Sequence, residues 1–186
     1  MAAEQGKGRR QFLMLVALFL GPVIAALALY FGGIDLRPKG SVNHGELISP
    51  VVQLPAVGDD EAFRGAWTLG VVAGPSCDES CEQALVMMRQ IRLSLGREME
   101  RIERVLLIAQ EPAQLDRVEQ AHPGLLILDA RTREFGALAA QFPGDPSVSI
   151  YLIDPLGNLM MRFDRATEPK AIRTDLKRLL RLSSIG

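Results

Sequence analysis

Apolar residues fall into three kinds of run in this chain, and each kind predicts a different element. The first is continuous. Residues 11–33 carry no charge, and the stretch 12–31 is twenty residues long. At about 1.5 Å per residue, a helix of that length matches a hydrocarbon core of about 30 Å. Pro22 falls mid-span, where membrane helices tolerate a kink. The second kind is short and mostly apolar, β-branched in its first case, which predicts buried strands at 67–73, 104–109, 125–128, 148–153 and 159–163. The third recurs every three to four residues, which predicts helices at 82–95 (Leu85, Met88, Ile91, Leu95), 111–121, 133–142 and 169–182. In the last of these, Ile172, Leu176, Leu179 and Leu180 share one face and Arg and Lys residues the other.

Strands alternating with helices imply a parallel sheet, and the Asp154–Asn158 turn between the last two strands adds an antiparallel hairpin. The predicted fold is α/β, a thioredoxin-like sandwich with a central mixed sheet flanked by helices, behind an N-terminal transmembrane helix. Four segments follow: a cytoplasmic tail (1–10), the span (11–33), a tether and extended arm (34–62) and the sandwich (63–186). The arm is rich in Pro, Gly and turn residues, though Leu47, Ile48, Val51, Val52 and Leu54 are able to pack along the domain.

Charge orients this plan. Lys7, Arg9 and Arg10 precede the span, against Arg37 and Lys39 after it, so the N-terminus is expected in the cytoplasm and the domain in the periplasm. A cleaved signal peptide ending near Ala26-Leu27-Ala28 would export the same domain. The apolar run continues past that point and exceeds the usual length of about 7–15 residues, which favours an uncleaved anchor in the inner membrane. The net charge of −1, without a basic stripe carrying interleaved aromatics, gives no case for nucleic acid.

Candidate chemistry concentrates in Cys77 and Cys81, the only two cysteines. Four residues apart at the start of a helix, they share one face, within reach of a disulfide or of joint ligation of one soft ion. The helix N-terminus favours thiolate over thiol. Two small buried residues on a helix face are the structural alternative; the polar flanks Asp78, Glu79, Ser80 and Glu82 point to an exposed turn instead. Met87, Met88, Met160 and Met161 read as packing, and Asp154 and Asp164 as turn residues. No Ser/His/Asp set, phosphate loop or two-His metal motif is present, which leaves hydrolase, kinase and NAD-dependent readings without residues.

The anchor, the Trp67-led strand, Cys77-x-x-x-Cys81 and the hairpin Tyr151-Leu152-Ile153-Asp154-Pro155-Leu156-Gly157 together resemble the Sco/SenC family. These are membrane-anchored thioredoxin-like proteins that help assemble the copper centre of cytochrome c oxidase. Two positions depart from the family pattern. Glu82 stands where Pro usually follows the second cysteine, and Pro146 stands where the family has the His that completes its copper site. Two histidines remain, His122 in a turn and His44 in the arm, and a loop histidine is more often solvated than a ligand. His44 is the better third ligand of the two, because an arm can fold back over the site.

The resemblance implies a thiol–disulfide exchange factor, with Cys77 attacking and Cys81 resolving, or a weak Cu(I) carrier through the same two sulfurs. Its partners would be the copper-bearing oxidase subunit or other assembly factors. The alternative is a non-catalytic scaffold whose thioredoxin-like domain docks onto such a partner. An alkaline phosphatase reporter fused after residue 60 is expected to be active, and a reporter that works only in the cytoplasm silent; the reverse pattern would refute the orientation.

Overall fold

A strand buried along its whole length organises the domain. In the computed structural model, which describes residues 2–32, 42–55, 62–73, 77–108, 115–129, 138–146 and 149–186, strand β2 (Trp67–Ala73) is buried at all seven positions. Such a strand needs neighbours on both edges and cover on both faces. It pairs parallel with β3 (Ile102–Ile108) and antiparallel with β5 (Ser149–Ile153). Beyond β3 lies β4 (Leu126–Asp129), again parallel; beyond β5 lie β6 (Asn158–Asp164) and β1 (Glu46–Gln53), both antiparallel. The six-stranded order is β1-β6-β5-β2-β3-β4. This is the mixed sheet of the thioredoxin-like class that the alternation predicts.

Each face of the sheet has its own core. Leu69 and Val71 point to one side, where Leu85, Met88 and Ile91 of helix α2 (Glu79–Ser94) and Ile172, Leu176 and Leu180 of helix α4 (Pro169–Leu182) cover them. Val72, Val105, Leu107 and Tyr151 point to the other, against Leu54, Phe63, Leu138 and Phe142. Tyr151 is fully buried, and its hydroxyl donates to the Pro143 carbonyl at 2.8 Å. Burial pushes its phenol above the usual tyrosine range. A short helix, α3 (Leu115–Ala121), contributes Val118 to the first core.

The predicted strands and the closing helix match the observed ones closely, and two differences are physical. The arm supplies a sixth strand. β1 pairs with β6 through a register shift between Leu47 and Val52, a stretch that contains Pro50. Helix α2 starts at Glu79, three residues before the apolar periodicity begins, because Asp78 caps it. The first half of the predicted helix over 133–142 lies outside the described residues; the second half holds only a single 3-10 turn, Ala139–Gln141. The hairpin turn is as expected, with the Asp154 carboxyl accepting from the backbone N–H groups of Leu156 and Asn158, and Gly157 at φ 82°.

Residues 1–41 form a separate unit from 42–186. Its helix α1 (Ala2–Phe31) contains Pro22. The stretch Gly8–Phe31 is long and apolar enough to cross a membrane once, and its large side chains, Phe12, Leu18 and Phe19 among them, are exposed.

One buried carboxyl group ties the arm to the core side of α4. Asp175, 2% exposed, accepts the backbone N–H groups of His44 at 2.8 Å and Gly45 at 3.0 Å, and faces the His44 Nδ1 at 3.0 Å. Gly45 has no room for a side chain, since a Cβ there would lie 2.5 Å from the Phe163 ring. Asp175→Ala strands two backbone donors and is expected to cost about 2–4 kcal/mol. His44→Ala keeps both backbone bonds and is expected to cost about 1 kcal/mol or less. Chemical denaturation of the two variants checks the difference; equal losses would mean that the imidazole, not the backbone, carries the tie.

Candidate functional site

The C-terminal end of β2 delivers the chain to the start of α2, and both cysteines lie there. Cys77 stands just before the helix and Cys81 in its first turn. Their sulfurs are joined as a disulfide, with the Cα atoms 5.0 Å apart. Cys81 is 2% exposed and belongs to the core beneath α2. Cys77 is only partly buried and lines an open cleft of about 580 Å³. The cleft has an apolar side of Val86, Met87 and Val118 and a carboxyl-rich rim of Asp78, Glu79 and Glu82. The pair is thus asymmetric: one cysteine lines the cleft, and the other is packed in the core.

The turn is held by local chemistry. Asp78 is the N-cap of α2, and its Oδ1 accepts the Cys81 N–H at 2.9 Å. This bond satisfies one of the donors that a helix start leaves without a partner. Ser80, inside the motif, accepts a hydrogen bond from the Arg165 guanidinium, which reaches over from the turn after β6. Burial lowers the basicity of Arg165, and the carboxyl groups of Asp78 and Asp145 partly restore it. Nothing in the sequence marks Arg165, because the contact joins segments 85 residues apart.

Glu82 has a use of its own. Its Oε1 lies 2.8 Å from the Nε2 of His122, which is 3% exposed. The structure therefore corrects the expectation of a solvated loop histidine: His122 is buried at the end of α3 and braced against α2. The same turn is gripped by Arg104, whose Nη2 donates to the Pro123 carbonyl at 2.7 Å. Burial, with Arg92 and Arg89 nearby, lowers the basicity of that guanidinium.

The expected third ligand does not join the cysteines. His44 sits against Asp175, and among the described residues no three His, Cys, Asp or Glu side chains group as a metal site would require. Pro146 occupies the loop before β5, beside Asp145, and supplies no donor side chain. Met88 and Met161 are core, and Met87 and Met160 pack against it. What the site can do rests on two sulfurs: exchange as a disulfide, or grip a soft ion once reduced.

The brace predicts a graded response. Glu82→Ala leaves the buried His122 ring without its partner and is expected to cost about 1–3 kcal/mol, whereas Glu82→Gln keeps an acceptor and most of the stability. Urea denaturation midpoints of the two variants test this; an Ala variant as stable as wild type would remove the brace from the account.

Comparison with known proteins agrees with this geometry. No curated protein matches the sequence. Among solved structures, copper-bound ScoI of Bradyrhizobium japonicum is 21% identical, with 72% of this chain and 98% of that one covered at a TM-score of 0.50. Yeast Sco1 is 17% identical, with 77% and 98% covered and a TM-score of 0.57. Its copper-bound form is 16% identical, with 76% and 95% covered and a TM-score of 0.55. At such identities the shared property is the fold. The model of the transmembrane-like, thioredoxin-like C-terminal domain matches residues 67–183, from the first residue of β2 to just past α4. That stretch holds the sheet's centre, both cysteines and the closing helix, and the chain belongs to this transmembrane-like, thioredoxin-like family.

Proposed function

We propose that this protein is a membrane-anchored thiol–disulfide exchange factor acting outside the cytoplasm in assembly of a cytochrome c oxidase copper centre. The observation that carries the reading is the asymmetry of the pair, with Cys77 on the wall of an open cleft and Cys81 buried behind it. In the reduced protein the Cys77 thiolate attacks one sulfur of a partner's disulfide. A mixed disulfide forms, and the partner's other sulfur leaves as a thiolate. Cys81, deprotonated, then attacks the Cys77 sulfur and releases the second partner thiolate. The partner gains two electrons and the pair ends as the disulfide, so turnover needs a dithiol reductant. A scaffold with vestigial cysteines would have no need of a reachable sulfur. The open cleft favours exchange.

Copper is the second cargo this chemistry admits. Two of the structures named above, Bradyrhizobium japonicum ScoI and one form of yeast Sco1, hold copper. In this chain Cys77 and Cys81, once reduced, offer two thiolates, which suffice for Cu(I). With Pro146 at the position of the family's imidazole and His44 held by Asp175, a firm Cu(II) site lacks its third donor. Exchange therefore ranks above copper carriage, and the oxidase subunit is the partner on which either would act.

Cys81→Ser is expected to accumulate a mixed disulfide through Cys77 when the reduced full-length protein meets oxidised glutathione, and Cys77→Ser to accumulate far less. Mass spectrometry reads both. Absence of the trapped species, or intact oxidase assembly in cells carrying Cys77→Ser, would sink the reading. Pro146→His is expected to raise copper affinity roughly tenfold or more by restoring an imidazole donor. Titration of the reduced protein checks it.

A further inference from the structure

The charge on helix α4 is one-sided. Its inward positions are Ile172, Leu176 and Leu180, together with Asp175, which is consumed by the arm. Its outward, exposed positions include Lys170, Lys177, Arg178 and Arg181, with no acid among them, and Arg173 lies half-buried at the flank. Arg97, on the 3-10 segment Gly96–Arg101, extends this face across a groove of about 760 Å³ that Lys177, Arg178 and Arg181 also line. Two acids border the groove and both are engaged: Asp175 as described, and Glu98 in a 2.8 Å pair with Arg101. Arg101 itself is spent on the carbonyls of Leu180, Ser183, Ile185 and Gly186. Among the described residues, Arg97, Lys177, Arg178 and Arg181 have no carboxyl group within ion-pair distance. A chain of net charge −1 thus presents a concentrated cationic surface.

Two features say what covers it. Val42 lines the groove, and only residues 32–41 separate it from the end of α1 at Phe31. The eleven Cα steps from Phe31 to Val42 reach at most about 40 Å, so a bilayer entered by α1 lies within reach of this face. Next to the cations stand two exposed apolar side chains, Leu182 at 75% and Ile185 at 49%. Cations flanked by exposed aliphatic residues suit a lipid interface. The groove carries no aromatic platform of the kind that single-stranded nucleic acid stacks upon.

We propose that the outer face of α4, with Arg97, docks the domain onto an anionic lipid surface beside its own anchor. Attraction comes from lipid phosphates facing Arg97, Lys177, Arg178 and Arg181, and Leu182 and Ile185 enter the headgroup region. Docking presents the domain to membrane-bound partners in a set orientation. It does not depend on any chemistry at the cysteines.

Trp67, the only tryptophan, reports on the contact. Its ring lies beside Gly186, at the chain end that carries Leu182 and Ile185. The full-length protein is reconstituted into vesicles of phosphatidylcholine alone or with about one-third phosphatidylglycerol, each doped with a dansyl headgroup lipid. Energy transfer from Trp67 is expected to be roughly twofold higher in the anionic vesicles and to fall to the neutral level in about 0.5 M salt. Lys177→Glu/Arg178→Glu/Arg181→Glu is expected to abolish the difference at low salt, and the milder Lys177→Gln/Arg181→Gln to reduce it, with circular dichroism unchanged in both. Equal transfer in the two vesicle types overturns the proposal, as does a difference that survives both salt and charge reversal. Should polyglutamate bind the protein in neutral vesicles while lipid charge has no effect, the face reads acidic protein and the lipid assignment falls.

Discussion

Complete burial of β2 is the constraint on which the rest of the domain depends. A strand with seven buried residues satisfies its backbone only through two flanking strands, and its side chains only through cover on both faces. β3 and β5 supply the first; α2 and α4 on one side, and Leu54, Phe63 and Phe142 on the other, supply the second. The chain then emerges at the C-terminal end of the strand, where a parallel neighbour lies on one side and an antiparallel one on the other. Open α/β sheets place their chemistry at such an end. Cys77 and Cys81 sit where they do because a buried strand must stop somewhere polar.

Elements whose apolar pattern is set by burial were legible in the sequence. β2 and α4 are the clearest cases, since seven consecutive core residues and an apolar stripe opposite cations admit few alternatives. β1 was legible only as an arm. Its outer residues are exposed, its inward ones are limited to Ile48 and Val52 against the second core, and Pro50 breaks the run. The start of α2 was displaced by three residues because periodicity registers the buried face, whereas the boundary is set by the Asp78 cap.

The two cysteines could be found from spacing alone, but their surroundings could not. Glu82 finds His122 forty residues later, and Ser80 finds Arg165 eighty-five residues later. Such pairs exist only once the sheet order has brought α3 and the turn after β6 beside the head of α2. His44 shows the converse. The arm does fold back, as its apolar residues allowed, but it is captured by Asp175 on α4 rather than by the sulfurs.

The register shift around Pro50 has a consequence for life in a membrane. β1 is the outermost strand on its side of the sheet, and an outermost strand offers unpaired donors and acceptors to any passing chain. Proteins confined to a bilayer diffuse in two dimensions and meet their own copies often. Proline contributes no N–H to such a contact, and the register shift between Leu47 and Val52 disrupts the flat ladder that a second copy would need. On the opposite side, β4 is only four residues long and ends in Asp129. Both borders of the sheet are poor templates for polymerisation, so crowding at the membrane surface need not turn this domain into a fibre.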